Sequence, residues 1–363
     1  MTTIRKAQYN VSESVQIFFT DTGPPPNSND YTTLVIIHGS SFTGATFDSL
    51  HDHVHERNMR AVALNRREYP GSTPYTPSEL EELHQGRQSF LDQHALFVGR
   101  FLRNLIQEEN IPQISRDGKS GGIAVMGWSM GCVTAMTLFS NPDVFDEGLY
   151  DLLQNYVKGL VLYDPPEIAF GYDIPTKVSD ETSLYHPWSE PVSNATPAEE
   201  YRTKFLFWIA SFYDHDLSTV SSEWQNLSGF DGRKRSERCL ADPWSDEYLH
   251  KYADYGAAGR SEPPMYSTSM KSAVRDMVNK ALFDETLARS FFPQLRVAYM
   301  WASCSTWTCL WTWKEIERLN KECTDKGMAV RPIKFLKIEN ANHFAHLVDP
   351  PRFLELVAEG ISS

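Results

Sequence analysis

The first 165 residues alternate between short apolar runs and longer amphipathic stretches. Runs that are apolar at consecutive positions predict strands buried on both faces of a parallel sheet. The predicted strands are 15–20, 33–37, 60–64, 123–126 and 158–163, and the predicted helices between them are 47–56, 78–109 and 133–139. This strand–helix alternation predicts an α/β fold with a mostly parallel sheet, right-handed crossovers and helices on both faces.

The alternation stops after residue 166 and returns at residue 296. The intervening segment has no clear buried strand, but it contains 20 of the 45 aromatic residues and a helical stretch at 199–212. Strand patterns resume at 296–300 and 333–338. We therefore predict an α/β core of residues 1–166 and 296–363, with an inserted, mainly helical cap or lid at 167–295. Such a lid would lie over the C-terminal strand ends, where open α/β sheets bind ligands.

Charge and composition narrow the classes of partner. The formal net charge is −13, and the longest basic cluster, 233–235, is short and has acidic neighbours, so we expect no nucleic-acid partner. No window approaches the roughly 18 consecutive apolar residues of a membrane helix. The N-terminus lacks the apolar region of a signal peptide. Five scattered cysteines indicate reduced thiols in a cytoplasmic protein rather than a metal site or disulfides.

One serine stands at the junction of a predicted strand and a predicted helix. The motif Gly127-Trp-Ser-Met-Gly131 places Ser129 on the strand–turn–helix that a nucleophilic serine requires. The flanking small residues permit such a sharp turn. The backbone N–H of Met130 would then start the helix, where it favours a negative charge. The alternative is an ordinary helix-capping serine within a chance G-x-S-x-G match.

A nucleophilic serine needs a base, and a histidine near the C-terminus is suitably placed. His343 follows the predicted strand 333–338 and precedes a predicted closing helix at 351–360. A solvent-exposed or structural histidine is the alternative interpretation. The nearest competitor is His346, three residues further along the chain.

The acid that would orient this base is less obvious from the sequence. The segment 301–314, where many enzymes of this architecture carry it, contains no carboxylate. The strand 158–163 instead ends at Asp164, directly before two prolines. Asp164 could hold the His343 imidazole in the tautomer whose free nitrogen faces Ser129. Glu167 is the alternative acid, and Asp164 could also be a plain turn residue.

A site for developing negative charge is expected after the strand 33–37. There Gly39 allows a close approach of the chain, and the Ser40 N–H would act together with the Met130 N–H. A Ser41 N–H or hydroxyl could replace that of Ser40, and a plain helix cap is the alternative. Each such donor can contribute about 3 kcal/mol of transition-state stabilisation. The residues expected to contact the substrate are Gly39, Ser41 and Trp128.

Taken together, these motifs resemble the α/β-hydrolase superfamily along nearly the whole chain. The matching segments are His38-Gly39, the Ser129 motif, Asn342-His343 and the arginine- and glycine-containing loop 65–72. An acid after the sixth strand departs from the commonest family pattern. It is similar to the arrangement in lactone-cleaving members such as the zearalenone hydrolases, which implies a lactonase.

The expected function is hydrolysis of an ester or lactone through an acyl-enzyme, with no metal or cofactor. Aromatic residues of the lid indicate an apolar or aromatic small-molecule substrate, although large aromatic residues in a lid more often form the lid's own small core. The candidates are Trp188, Trp208, Phe212, Tyr213, Trp224 and Trp244. A carbon–carbon bond hydrolase or thioesterase could use the same triad, and a non-catalytic ligand-binding homologue is the alternative from another class. Epoxide hydrolases and haloalkane dehalogenases are disfavoured because both need a carboxylate where Ser129 stands. The oligomeric state stays open, with a homodimer as one option.

Overall fold

The backbone forms an eight-stranded, mostly parallel sheet with helices on both faces. The computed structural model describes residues 4–174, 184–188 and 195–362. The strand order is β1-β2-β4-β3-β5-β6-β7-β8, in which β2 runs antiparallel to both of its neighbours, β1 and β4, and the remaining neighbouring pairs are parallel. The strands are β1 Arg5–Asn10, β2 Gln16–Asp21, β3 Thr32–Ile37, β4 Met59–Leu64, β5 Ile123–Trp128, β6 Val157–Tyr163, β7 Arg296–Ala302 and β8 Ile333–Ile338. The predicted α/β fold is confirmed.

The central strands are buried because each face of the sheet packs against its own apolar layer. In β3, Leu34 and Ile36 belong to one layer, whereas Val35 and Ile37 belong to the other. Successive side chains of a strand point to opposite faces, so a strand covered on both sides is buried at every position and is mostly apolar. This is why the consecutive apolar runs identified the parallel strands.

Twelve α-helices can be assigned within the described residues. They are α1 Pro77–His84, α2 Gln88–Glu109, α3 Gly131–Thr137, α4 Glu147–Gln154, α5 Pro197–Ile209, α6 Asp246–Tyr252, α7 Tyr255–Ser261, α8 Thr268–Val278, α9 Glu285–Ser290, α10 Trp307–Asp325, α11 Ala345–Val348 and α12 Pro350–Ser362. Short 3₁₀ turns occur at Gly44–Leu50, Val54–Arg57, Pro142–Val144, Glu167–Phe170 and Pro263–Tyr266, and a π turn occurs at Asn279–Phe283. Among the described helices, none has the length and hydrophobicity needed to cross a bilayer.

Two predicted helices differ from the observed ones for local reasons. The segment 47–56 is not α-helical but lies in two 3₁₀ turns, and the residues that precede these turns make no side-chain capping bond. The predicted long helix 78–109 is divided in two around Gly86, whose φ of +65° lies in the left-handed region. A Cβ on Gly86 would lie 2.6 Å from the backbone nitrogen of Met270. The break therefore lets α8 approach closely.

The segment between β6 and β7, residues 167–295, is called the insertion below. Its described residues contain α5 to α9 and only isolated β-bridges. One bridge pairs Phe42 with Ala253, and beside it the Asp254 N–H donates to the Ser41 carbonyl at 2.7 Å. The insertion thus contacts the loop that follows β3. The exact domain boundaries stay a prediction.

Candidate active site

Ser129 lies on a strained turn between β5 and α3. Its φ is +54°, in the left-handed region that costs a non-glycine residue about 1–2 kcal/mol. The two flanking glycines are required by space. A Cβ on Gly127 would lie 2.5 Å from the Cα of Cys132, and one on Gly131 would lie 2.6 Å from the carbonyl oxygen of His38. Strand, turn and helix can therefore pack this closely only with glycine at both positions.

Asp164, which directly follows β6, and His343, in the loop after β8, are joined by a hydrogen bond. The His343 Nδ1 lies 2.6 Å from the Asp164 Oδ2, and both side chains are buried. Because an ionised carboxylate only accepts hydrogen bonds, Nδ1 must carry the proton. Nε2 is then the nitrogen free to accept one. Within the described residues no hydrogen bond joins His343 to Ser129 Oγ, and such bonds often tighten only when substrate binds.

The Asp164 carboxylate is fixed by two further donors. Oδ1 accepts from the Ala302 N–H at 3.0 Å, and Oδ2 accepts from the Ser305 hydroxyl. Asp164 itself has a φ of +49°, so its backbone is also in the left-handed region. Sequence reasoning missed Ala302, the last residue of β7, and Ser305, which follows it; both lie in the segment 301–314 that has no carboxylate. A hydroxyl two positions before the start of α10 was the available signal.

The loop carrying His343 is attached to β5 and β6. The carbonyl oxygen of His343 accepts from the Trp128 Nε1 at 3.0 Å and from the Tyr163 hydroxyl at 2.9 Å. We expected Trp128 to contact the substrate, but the structure gives it another place. Its indole is buried beneath His343, because alternate residues of β5 face opposite sides of the sheet. Trp128 therefore positions the histidine loop.

His346 is a structural residue in this arrangement. Its ring is buried, stacks on Phe47 with centroids 4.3 Å apart, and has Nδ1 3.2 Å from the Tyr163 hydroxyl. Burial lowers the pKa of His346 well below its ordinary value, and the nearby charge of His343 lowers it further. The structure thus favours His343 over His346 as the candidate base.

The expected oxyanion donors are free, with one exception. Among the described residues, neither the Ser40 N–H nor the Met130 N–H donates to a protein acceptor, and both residues border the cavity that contains Ser129. The Ser41 N–H instead donates to the Tyr69 hydroxyl at 2.9 Å. Ser41 is therefore not available as the substitute donor that we considered. Its φ of +68° turns the chain away after Ser40.

Gly39 brings this loop against the serine. A Cβ on Gly39 would lie 2.8 Å from the Cβ of Ser129. Its carbonyl oxygen lies 2.8 Å from the His38 Nδ1 and accepts from Arg66 Nη2 at 3.1 Å. Burial, followed by the charge of Arg66, lowers the pKa of His38 well below its ordinary value. Nε2 of the neutral ring can then accept a hydrogen bond from the backbone N–H of Arg66, at 2.9 Å.

The same loop is tied to the insertion by a buried polar network. The Tyr69 hydroxyl donates to the Glu262 Oε1 at 3.1 Å, and Arg66 forms an ion pair with the same carboxylate. Glu262 belongs to the insertion and is almost completely buried. Although burial alone would lower the pKa of Arg66, Glu262 raises it above its ordinary value. The guanidinium is therefore charged, and the loop position depends on the insertion.

A narrow cavity leads to Ser129 beneath the insertion. Its volume is about 20 Å³, enough for roughly one water molecule. The polar residues that line it are Ser40, Ser129, Glu167, His186 and Thr308. Of the aromatic candidates, Trp188 and Trp208 line this cavity, whereas the remaining four lie elsewhere in the described structure. Trp224, for example, stacks on Trp311 with centroids 4.2 Å apart.

Two members of the candidate triad and a neighbouring cysteine have donor types that bind metals. Asp164, Cys309 and His343 offer atoms within 4.8 Å of one another. The Cys309 Sγ lies 3.7 Å from the His343 Nδ1, and burial raises the pKa of this thiol well above its ordinary value. An ion would have to displace the proton shared by Asp164 and His343. The existing hydrogen bonds account for this group as a candidate acid–base pair.

Comparison with known proteins identifies the class. Residues 34–356 match the model of the alpha/beta hydrolase family, and the chain belongs to that family. Family membership supports a hydrolase activity. No curated protein matches the sequence.

Solved structures show the same fold over the whole chain. Epoxide hydrolase A from Mycobacterium thermoresistibile is 12% identical, with 98% of each chain covered and a TM-score of 0.52. A bromoperoxidase from Bacillus anthracis is 13% identical, with 99% of this chain and 100% of the other covered and a TM-score of 0.51. An epoxide hydrolase from metagenomes of hot environments is 13% identical, with 99% of each covered and a TM-score of 0.53. At these identities the likeness concerns the fold.

Proposed function

We propose that this alpha/beta hydrolase is a serine hydrolase that cleaves a carboxylic ester or lactone of an apolar or aromatic small molecule. The observation that carries the proposal is the hydrogen bond between Asp164 and His343. This bond leaves Nε2 as the basic nitrogen. Ser129 lies on the strained turn between β5 and α3. Two free backbone N–H groups, of Ser40 and Met130, border the same cavity.

In the proposed mechanism, the His343 Nε2 takes the hydroxyl proton as Ser129 Oγ attacks the carbonyl carbon. The Ser40 and Met130 N–H groups bind the resulting oxyanion. Asp164 stabilises the imidazolium without taking its proton. The imidazolium then protonates the leaving oxygen. A water molecule deprotonated by His343 attacks the acyl-enzyme and releases the acid, which restores the serine.

The other candidate reactions share parts of this machinery. A thioesterase or carbon–carbon bond hydrolase would use the same serine, base and acid. Epoxide hydrolases occur among the similar structures, but their chemistry needs a carboxylate at the elbow, where this chain has Ser129. A non-catalytic binder would have no need of the orienting bonds around Asp164, which favours an enzyme.

Labelling with a fluorophosphonate probe tests the nucleophile directly. We expect the probe to label the protein, and we expect Ser129→Ala to abolish both labelling and turnover of short p-nitrophenyl esters. The substitution removes one oxygen atom, so the melting temperature should hardly change. Labelling that persists in folded Ser129→Ala would refute the assignment. Turnover of a panel of lactones, aryl esters, thioesters and β-diketones would then distinguish the reaction types.

A further inference from the structure

The proposed mechanism leaves one carboxylate in the cavity without a role. Glu167 lines the cavity beside Ser129, yet it is Asp164 that contacts His343. Only 4% of Glu167 is exposed. Burying a carboxylate is costly unless a partner compensates it. The position of Glu167 therefore requires an explanation other than the triad.

A histidine of the insertion lies close to this carboxylate. The His186 Nε2 lies 3.6 Å from the Glu167 Oε1, which is beyond hydrogen-bonding distance. Across the described ranges, no hydrogen bond reaches either oxygen of the Glu167 carboxylate. Both oxygens thus keep capacity to accept, and they do so in the wall of the cavity that contains the serine.

The surroundings of this pair define what it can bind. The apolar part of the cavity wall comes mainly from Ile168, Phe205, Trp208 and Ile209. A ligand whose body packs there would have to place a polar group against Glu167 and His186. A hydroxyl suits this wall because it can donate a hydrogen bond to the carboxylate and is itself uncharged. An ammonium group could also donate, but its charge makes transfer from water into an apolar cavity more costly.

We propose that the Glu167 carboxylate forms a subsite for a hydroxyl group of the substrate. The preferred ester or lactone then carries a hydroxyl on its apolar or aromatic part. This inference rests on the proposed hydrolysis at Ser129, but the subsite can also be tested through binding alone. A hydrogen bond to a charged acceptor is among the stronger ones in proteins.

Matched esters test the subsite during turnover. The probes are p-nitrophenyl phenylacetate and its 3-hydroxy and 4-hydroxy derivatives. We expect kcat/KM to be at least about tenfold higher for one of the hydroxylated esters, equivalent to about 1.4 kcal/mol. Glu167→Met, which keeps the length of the side chain, should bring this ratio close to one, and Glu167→Gln should give an intermediate ratio. Glu315→Gln removes another buried carboxylate, one paired with Arg318, and should leave the ratio unchanged.

A binding experiment separates this inference from the chemistry. Calorimetry on Ser129→Ala would compare phenylacetamide with 3- and 4-hydroxyphenylacetamide, with and without Glu167→Met. A hydroxyl preference that Glu167→Met removes supports the subsite even if no ester is turned over. Equal affinities for all three amides, or a preference that survives Glu167→Met, would overturn it. Equal kcat/KM ratios with turnover that depends on Ser129 would overturn the subsite and leave ester hydrolysis standing.

Discussion

Replacing Asp164 by asparagine gives the most direct test of the acid. In the structure, Oδ1 and Oδ2 both accept: Oδ1 from the Ala302 N–H, and Oδ2 from the Ser305 hydroxyl and from His343. Asparagine has one accepting oxygen and one donating nitrogen. If the oxygen faces His343, the amide nitrogen opposes the Ala302 N–H. If the nitrogen faces His343, the ring must adopt the other tautomer, whose Nε2 already carries a proton.

Either orientation has a cost that can be estimated. In a serine protease triad, the wrong tautomer lowers kcat about 10⁴-fold, which corresponds to about 5 kcal/mol in the activation barrier. An unpaired buried N–H costs roughly 1–3 kcal/mol of folding stability. We therefore expect Asp164→Asn to lower kcat for a short p-nitrophenyl ester by several orders of magnitude.

The assay is steady-state kinetics together with urea unfolding. Glu315→Gln, which removes a carboxylate outside the cavity, serves as the control and should keep its kcat. A loss of less than about tenfold in folded Asp164→Asn would refute the role of this residue. A large loss in Glu167→Gln, with Asp164→Asn still active, would assign the acid to Glu167 instead.

Two further expectations concern stability. Gly131→Ala should lower the free energy of unfolding in urea by at least about 2 kcal/mol, because its Cβ would lie 2.6 Å from the His38 carbonyl oxygen. At Gly148 a Cβ would make only an ordinary contact, 3.6 Å from the Asp146 Oδ1, so Gly148→Ala should be neutral or stabilising. Equal effects would contradict this close packing. Burial lowers the pKa of His38, His94 and His346, that of His94 to about 4. Below pH 6.5 the unfolded state therefore binds more protons than the folded state. As the pH is lowered, the free energy of unfolding should fall by up to about 1.4 kcal/mol per pH unit for each histidine. Unfolding free energies that stay constant from pH 7 to 5 would contradict it.

The parts of the fold set by local pattern could be predicted from the sequence. Strands β3 to β6 are buried at every position and mostly apolar, because both faces of the sheet are covered. The polar edge strand β1 was missed, since Arg5–Asn10 alternates exposed residues with few buried ones. An edge strand is held by its neighbour rather than by a hydrophobic layer, so its sequence carries little signal.

In the candidate site, too, the residues that depend on local sequence could be predicted, and those that depend on distant parts of the chain could not. Ser129 and its glycines could be recognised because their spacing reflects a local turn. The partners of Asp164 could not, because the Ser305 hydroxyl reaches it only after the chain has passed through the insertion. The place of Trp128 was also missed. Its direction depends on which face of β5 it occupies, and the histidine loop that it holds is 215 residues away in the chain.

The left-handed backbone at Ser129 and Asp164 has a consequence for evolution and engineering. Both are non-glycine residues at a positive φ, a conformation that glycine adopts without that cost. At Asp164 the three buried hydrogen bonds of the carboxylate oppose such a change, whereas in the described part of the chain no hydrogen bond holds the Ser129 hydroxyl. A selection for thermal stability alone would therefore favour glycine at Ser129, the position that the proposed chemistry can least spare. Stabilised variants of this protein should be sought elsewhere in the chain, and libraries screened only by melting temperature should hold Ser129 fixed.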